Sequence, residues 1–200
     1  MNIKWNEYTW YSKCAAAIFF IIILPIWTFY LGTQYAQTKM IVQEWKKDSV
    51  SQSTFDAKNA SFTVDGTPIT LINGISEIHP ASIPGATITT HYFGNEAKGD
   101  LNNDGQEDVA FLITQDGGGS GFFYYVVAAL KTSEGYKTTN AFFIGDRIAP
   151  QTTEIHSQTG ELRVNFANRR PGEPMAAQPS QGAVLLLKVT PEGVLEGLMK

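Results

Sequence analysis

Residues 14 to 32, CAAAIFFIIILPIWTFYLG, carry no charge, and the next charged residue is Lys39. As a helix rising about 1.5 Å per residue, such a run comes close to crossing a hydrocarbon core of about 30 Å. Each Ile, Leu and Phe in it favours insertion by about 0.3 to 0.6 kcal/mol. Trp5, Tyr8, Trp10 and Tyr11 precede the run, and Trp27, Tyr30 and Tyr35 lie near its end. Such rings favour the membrane–water interface. Pro25 sits mid-run, where it is expected to kink the helix.

Two other readings compete. A buried core helix seldom runs this long without a polar face. A cleaved signal peptide needs small residues before its cut site, and Gln34-Tyr35-Ala36 is a poor match. Cys14 stands at the start of the run, so it is not a lipoprotein attachment site. The sequence therefore predicts a short tail (1–13), an uncleaved transmembrane helix (14–32), a juxtamembrane stalk and linker (33–55) and a β domain (56–200).

Lys4 and Lys13 lie on one side of the span and Lys39, Lys46 and Lys47 on the other, so the positive-inside comparison is near balance. The domain is expected to be extracytoplasmic because of a calcium loop described below, since free calcium is abundant outside cells. The only cysteine lies in the apolar run, which fits either compartment. Residues 51–200 carry ten Lys/Arg against sixteen Asp/Glu. An acidic domain without a basic cluster makes nucleic acid an unsuitable partner.

From Ser61 onward the pattern is β, with strands expected at 61–64, 68–72, 86–93, 108–114, 122–130, 136–144, 151–156, 161–167, 183–190 and 193–197. VAFLIT (109–114) and FFYYVVAAL (122–130) are apolar at both alternating positions, so both faces should be covered. Leu162, Val164 and Phe166 alternate with Glu161, Arg163 and Asn165, as in a strand wet on one side. The expected fold is mainly β: one antiparallel domain, a sandwich or partial barrel, with at most a short helix.

The sharpest local pattern is Asp100-Leu-Asn102-Asn-Asp104-Gly105-Gln106-Glu-Asp108. Oxygen-bearing side chains recur at every second position, and Gly105 permits a tight turn. A curled loop of this kind can point Asp100, Asn102 and Asp104 at one hard cation, with Gln106 giving its backbone carbonyl and Asp108 closing the shell. Phe111 stands where an EF-hand needs its bidentate Glu, and a strand follows instead of a helix. The loop resembles the calcium loops of integrin-type (FG-GAP) repeats, in which such a run leads straight into an apolar strand. A turn rich in Asx residues that binds nothing is the competing reading. The glycine-rich segment Gln115–Gly121 joins the two apolar strands and lacks the Gly-Lys-Ser/Thr ending of a phosphate loop. It reads as a flexible connection.

Taken together, Gly99–Asp108, Asp116–Tyr125, Phe143-Ile-Gly-Asp-Arg147 and Pro171-Gly-Glu-Pro-Met175 resemble an uncharacterised family of exported bacterial proteins, often lipoproteins. The resemblance covers about half the chain and implies export but no established activity. Members often follow Pro-Met with paired cysteines; Ala176-Ala177 stand here, so any thiol role of that loop is absent.

Catalytic patterns are weak. His79, His91 and His156 lack metal-ligand spacing, no G-x-S-x-G elbow occurs, and the domain has no cysteine nucleophile. Asp146-Arg147 reads as a salt bridge within a turn, and Arg169-Arg170 as a solvated loop or a contact for an acidic partner. The sequence thus predicts a membrane-anchored, calcium-stabilised binding or scaffold module for a protein or glycan. The alternative is a cell-envelope hydrolase using acidic residues near 100–108. Close, pKa-perturbed carboxylates in a pocket would favour the hydrolase, and a shallow aromatic patch including Phe122, Tyr124 or Tyr92 the binding module.

Overall fold

The computed structural model describes residues 10–23, 25–35, 39, 54–80 and 85–198. The chain divides into two compact units, Met1–Gln52 and Ser53–Lys200.

In the first unit, helix α1 (Trp10–Ile18) passes into a π-helical turn at Phe19–Ile23, and 25–35 are again helical. The helix begins inside the expected tail. Pro25 has no N–H for the helical ladder, and the wider π geometry falls on the turn just before it. Apolar side chains on both stretches are exposed, among them Ile18, Phe20, Ile22, Ile26, Trp27 and Leu31. Among the described residues, no helix is long and apolar enough to cross a membrane. Leu24, within the expected span, lies outside the described residues, as do most of the expected stalk and the linker from 49 to 53.

The second unit is mainly β, with antiparallel pairing in every ladder. In chain order its strands are β1 (Ser61–Val64), β2 (Thr67–Thr70), β3 (Ile75–Ile78), β4 (Ile88–Gly99), β5 (Asp108–Asp116), β6 (Phe123–Thr132), β7 (Gly135–Thr138), β8 (Phe142–Asp146), β9 (Ala149–His156), β10 (Glu161–Asn168), β11 (Gln181–Val189) and β12 (Leu195–Gly197). The central sheet runs β3-β4-β5-β6-β7, with β8 also on β6; the flanking sheet runs β12-β11-β10-β9; β1 and β2 form a separate hairpin.

Side-chain alternation on β5 and β6 decides the layering. Ala110, Leu112, Val126, Ala128 and Leu130 pack against Leu162, Val164, Phe166 and Leu187 of the flanking sheet. Phe111, Ile113, Tyr125 and Val127 pack on the opposite face against Phe62, Val64, Ile69 and Leu71 of the hairpin and its flanks. Both strands are thus covered on both faces, as their continuous apolar runs require. The two sheets approach each other where β4 meets β9, giving a half-barrel. There the Asp100 amide donates to Ser157 Oγ at 3.0 Å, and Asn95 Nδ2 to the Gln151 carbonyl at 3.3 Å. Gly99 permits this approach: a Cβ on it would lie 2.7 Å from Ile155.

Three expectations change. The strand expected at 136–144 is two strands, because the chain leaves β6 after Thr139, whose amide still donates to the Ala128 carbonyl at 2.8 Å. Ala141 N donates to the Thr63 carbonyl, and Asn140 Oδ1 accepts from Leu195 N. β3 has no counterpart among the expected strands: Ile75-Ser-Glu-Ile78 is too short to show a period. β4 continues past the expected end at Phe93, through an irregularity at Gly94-Asn95 with φ of 110° and 49°.

Candidate functional site

Gly99 ends β4 and Asp108 begins β5, so the two strands pin both ends of the loop between them. Its side chains turn inward onto its own backbone. Asp100 Oδ1 and Oδ2 accept from the amides of Asp104 (3.2 Å) and Gly105 (2.8 Å). Asn102 Oδ1 accepts from Asp104 N at 3.1 Å, and Asp104 Oδ1 from Gln106 N at 2.8 Å. Asn103 and Gly105 take positive φ, 59° and 80°, which lets the chain curl this tightly.

Asp108 differs from the rest of the loop. It is fully buried, and its two oxygens accept from the amides of Leu101 (2.9 Å) and Lys131 (2.8 Å). The carboxylate therefore ties the loop's start to the end of β6. Burial pushes its carboxyl above the usual aspartate range; the two amides oppose that shift, and the charges of Asp104 and Asp100 add to it.

The expected ligands Asp100, Asn102, Asp104 and Gln106 are thus gathered in one curled loop, with Asp108 beneath it. The donors are all oxygens, as calcium prefers, and a carboxylate oxygen accepting one N–H keeps a further lone pair. This donor chemistry is of the type calcium takes, while Asp104 Oδ2 accepts from Asn102 Nδ2 (3.0 Å) and Gln106 Nε2 (3.3 Å). Among the described residues, no three His, Cys, Asp or Glu side chains form a metal-holding group by themselves. An ion here would also rely on amide and backbone carbonyl oxygens. Two shallow depressions, of about 370 and 420 Å³, flank the loop and share Asn102, Leu130, Pro191 and Gly193. Asp108 lines neither.

The other motifs gather at the far end of β5. Eight rises of about 3.4 Å along the nine-residue strand place this end roughly 27 Å from Asp108. Here Phe122 N donates to Asp146 Oδ1 at 2.9 Å, and Arg147 N to the Phe122 carbonyl at 2.7 Å. Arg147 pairs with Asp146 at 2.8 Å and holds that carboxyl below its usual range. Arg169 donates to the Arg147 carbonyl (2.9 Å) and to the Ala177 carbonyl (2.7 Å). The glycine-rich hairpin, the 143–147 segment and the 169–177 loop are therefore one hydrogen-bonded assembly. Asp146-Arg147 is a local pair that also anchors the hairpin.

Beside this assembly, Phe93 and Phe122 each meet Tyr124 edge-to-face, with centroids 5.4 and 5.5 Å apart. Phe93 is 42% and Phe122 36% exposed. Phe93 ends the expected 86–93 strand but is not among the aromatic residues expected in the patch, because its ring partner Tyr124 lies on a different strand, β6. Tyr92 instead points the other way, packing on Phe111 and donating to Glu96 Oε1 at 2.7 Å, and burial pushes its hydroxyl up to about 12.

The fold explains only some glycines of the adjoining loop. Gly118 has φ of 75°, and a Cβ on Gly121 would lie 2.6 Å from the Phe123 ring. Gly117 and Gly119 have neither a positive φ nor a neighbour within 4 Å of a Cβ. The three histidines stay apart: His79 shares a hydrogen bond with Thr87, His91 lies in β4, and His156 sits 3.8 Å from Glu154.

Compared with family models, curated proteins and solved structures, the chain matches none. The functional reading rests on the two ends of the β domain themselves.

Proposed function

We propose that this chain is a single-pass membrane protein presenting an extracytoplasmic β domain. That domain is a binding module, braced by calcium at 100–108 and open to a protein or glycan ligand at its opposite end. The observation that carries the binding reading is the exposed Phe93–Phe122–Tyr124 cluster beside a loop whose Gly117 and Gly119 the fold does not require. Exposed aromatic groups and close backbone approach are what a ligand platform offers.

The anchor is supported by the outward-facing apolar side chains of the first unit, among them Ile21 at 72% and Phe29 at 75% exposed. So much contiguous apolar surface needs a non-aqueous neighbour. Membership of the exported family that the motifs resemble belongs to the same proposal. Its support is the convergence of Asp116–Tyr125, Phe143–Arg147 and the 171–175 loop at one end of the domain. The hydrolase reading has less support, because Asp108 is sealed against two amides and Asp100 and Asp104 engage the loop's own backbone.

The test is sedimentation of the protein with isolated cell-envelope glycan and with envelope protein fractions, beside the Phe93→Ser/Phe122→Ser variant. Retention by one fraction, lost in the variant while its melting temperature holds, is the expected outcome. Equal retention of both proteins contradicts the aromatic platform. An epitope added after Lys200 should be labelled on intact cells; labelling only after lysis contradicts the orientation.

A further inference from the structure

β11 is nine residues long, but β12 covers only Leu187–Val189 of it. One further bond, from Leu198 N to the Leu186 carbonyl at 2.8 Å, ends that cover. The bonds from Leu198 to Leu186 and from Thr190 to Val194 show that even-numbered residues of β11 direct their backbone groups to this side. By strand alternation, the N–H and C=O of Gly182 and Val184 then face the open edge, where among the described residues no strand pairs with them. Odd-numbered residues bond to β10, and Leu187 points into the core.

Open edges in native proteins are shortened, charged or interrupted by proline. The other outer strands follow this pattern. β3 has four residues with Glu77 among them and Pro80 just beyond, and β7 has four with Lys137. The open part of β11, with the residues that follow it to Leu187, reads Gln-Gly-Ala-Val-Leu-Leu-Leu, without charge or proline. Val184 is 58% exposed, and a Cβ on Gly182 would meet nothing within 4 Å.

These features fit one another. When two copies of the segment pair antiparallel about a two-fold axis through Ala183, Gly182 of each faces Val184 of the other. Both residues direct their backbone groups outward, so the four free groups of each copy are all satisfied. On the solvent face, each Val184 covers the space left open at the opposing Gly182. Shifting the axis to Val184 would set Gly182 against Leu186, whose carbonyl is already engaged by Leu198. The match is isologous, as a closed dimer requires.

We propose that the Gln181–Leu185 edge of β11 pairs with the same edge of a second copy of this chain, joining two flanking sheets into one continuous sheet.

The test uses the full chain with Cys14→Ser, so that an introduced cysteine is the only thiol. In the proposed register Ala183 faces its symmetry mate in a non-hydrogen-bonded pair, with Cα atoms about 4.5 Å apart. That separation lies within the disulfide range of about 4.4 to 6.8 Å. Under mild oxidation the Ala183→Cys chain should become mostly disulfide-linked dimer, while a Thr152→Cys chain, altered on β9, should stay monomeric. Adding Val184→Pro or Val184→Lys to Ala183→Cys should abolish the cross-link. The Val184 N–H faces the open edge, so proline there leaves the ladder to β10 intact, and the lysine variant keeps the donor and adds only a charge. Light scattering on the Cys14→Ser chain gives the mass before any cross-link. Absence of the Ala183→Cys cross-link, equal linking at Thr152→Cys, or linking that survives both Val184 substitutions would overturn the proposal.

Discussion

The two ends of the β5–β6 hairpin are built on opposite principles. At one end the 100–108 loop is closed on itself, with the Asp100 and Asp104 side chains turned onto backbone amides and Asp108 buried beneath. At the other, the 117–121 loop offers glycines that touch nothing, beside half-exposed aromatic rings and backbone held from behind by Asp146 and Arg169. The first end uses polar side chains to fix the chain; the second uses distant residues to support a segment left free. In one hairpin, then, loop composition separates a structural clamp from a surface that meets something else.

The largest effect should come from removing the clamp. Asp108→Ala leaves the amides of Leu101 and Lys131 without their acceptor. An unsatisfied buried donor costs about 1 to 3 kcal/mol, so thermal unfolding should show a loss of about 2 to 6 kcal/mol. A loss under ~0.5 kcal/mol would mean that the loop is not tied down through Asp108. Gly99→Ala, at the β4–β9 approach, comes next. Overpacking of this kind costs about 1 to 3 kcal/mol, and the same measurement should show it.

The glycines sharpen the contrast in sign. Gly105→Ala forces a side chain into positive φ and should destabilise by about 1 kcal/mol. Gly119→Ala meets open space without positive φ and should stabilise by about 0.4 to 1 kcal/mol, through the unfolded chain. If both substitutions destabilise equally, the two loops do not differ as described.

The smallest effect is a pH dependence at the open end. The Arg147 contact holds the Asp146 carboxyl below its ordinary range. A depressed folded pKa contributes stability that is present above the unfolded pKa and is lost as pH falls through the folded value. Hydrogen exchange at the Phe122 amide should accelerate only in that acidic window. Unchanged exchange across it would remove Asp146 as the anchor of the hairpin.

Much of this contrast could be read from local sequence. The two-faced apolar runs of β5 and β6 placed those strands at the centre, because alternation reports burial directly. The spacing of Asp100, Asn102 and Asp104 announced a curled loop, since short polar side chains at every second position reach back to the amides just ahead. Long-range consequences were hidden. Nothing near Asp108 signals that it accepts from Lys131, which is 23 positions away. Nor does Arg169 announce its hold on Arg147. Phe93 escaped notice because the strand that brings Tyr124 beside it lies far along the chain, and β3 because the four residues after Asn73-Gly74 are too few to show a period.

The most direct test of the closed end is thermal unfolding of the protein in chelator and in millimolar calcium, beside Asp104→Ala. A lone loop without a bidentate Glu should bind with a Kd of roughly 10⁻⁴ to 10⁻³ M. In 10 mM calcium, about 10 to 100 times that Kd, linkage adds about 1.4 to 2.7 kcal/mol, which for a domain of this size raises Tm by several degrees. That rise is expected in the unsubstituted protein, and its loss in Asp104→Ala. Equal Tm values for the unsubstituted protein in chelator and calcium would contradict the calcium brace and leave the loop a turn closed by its own side chains.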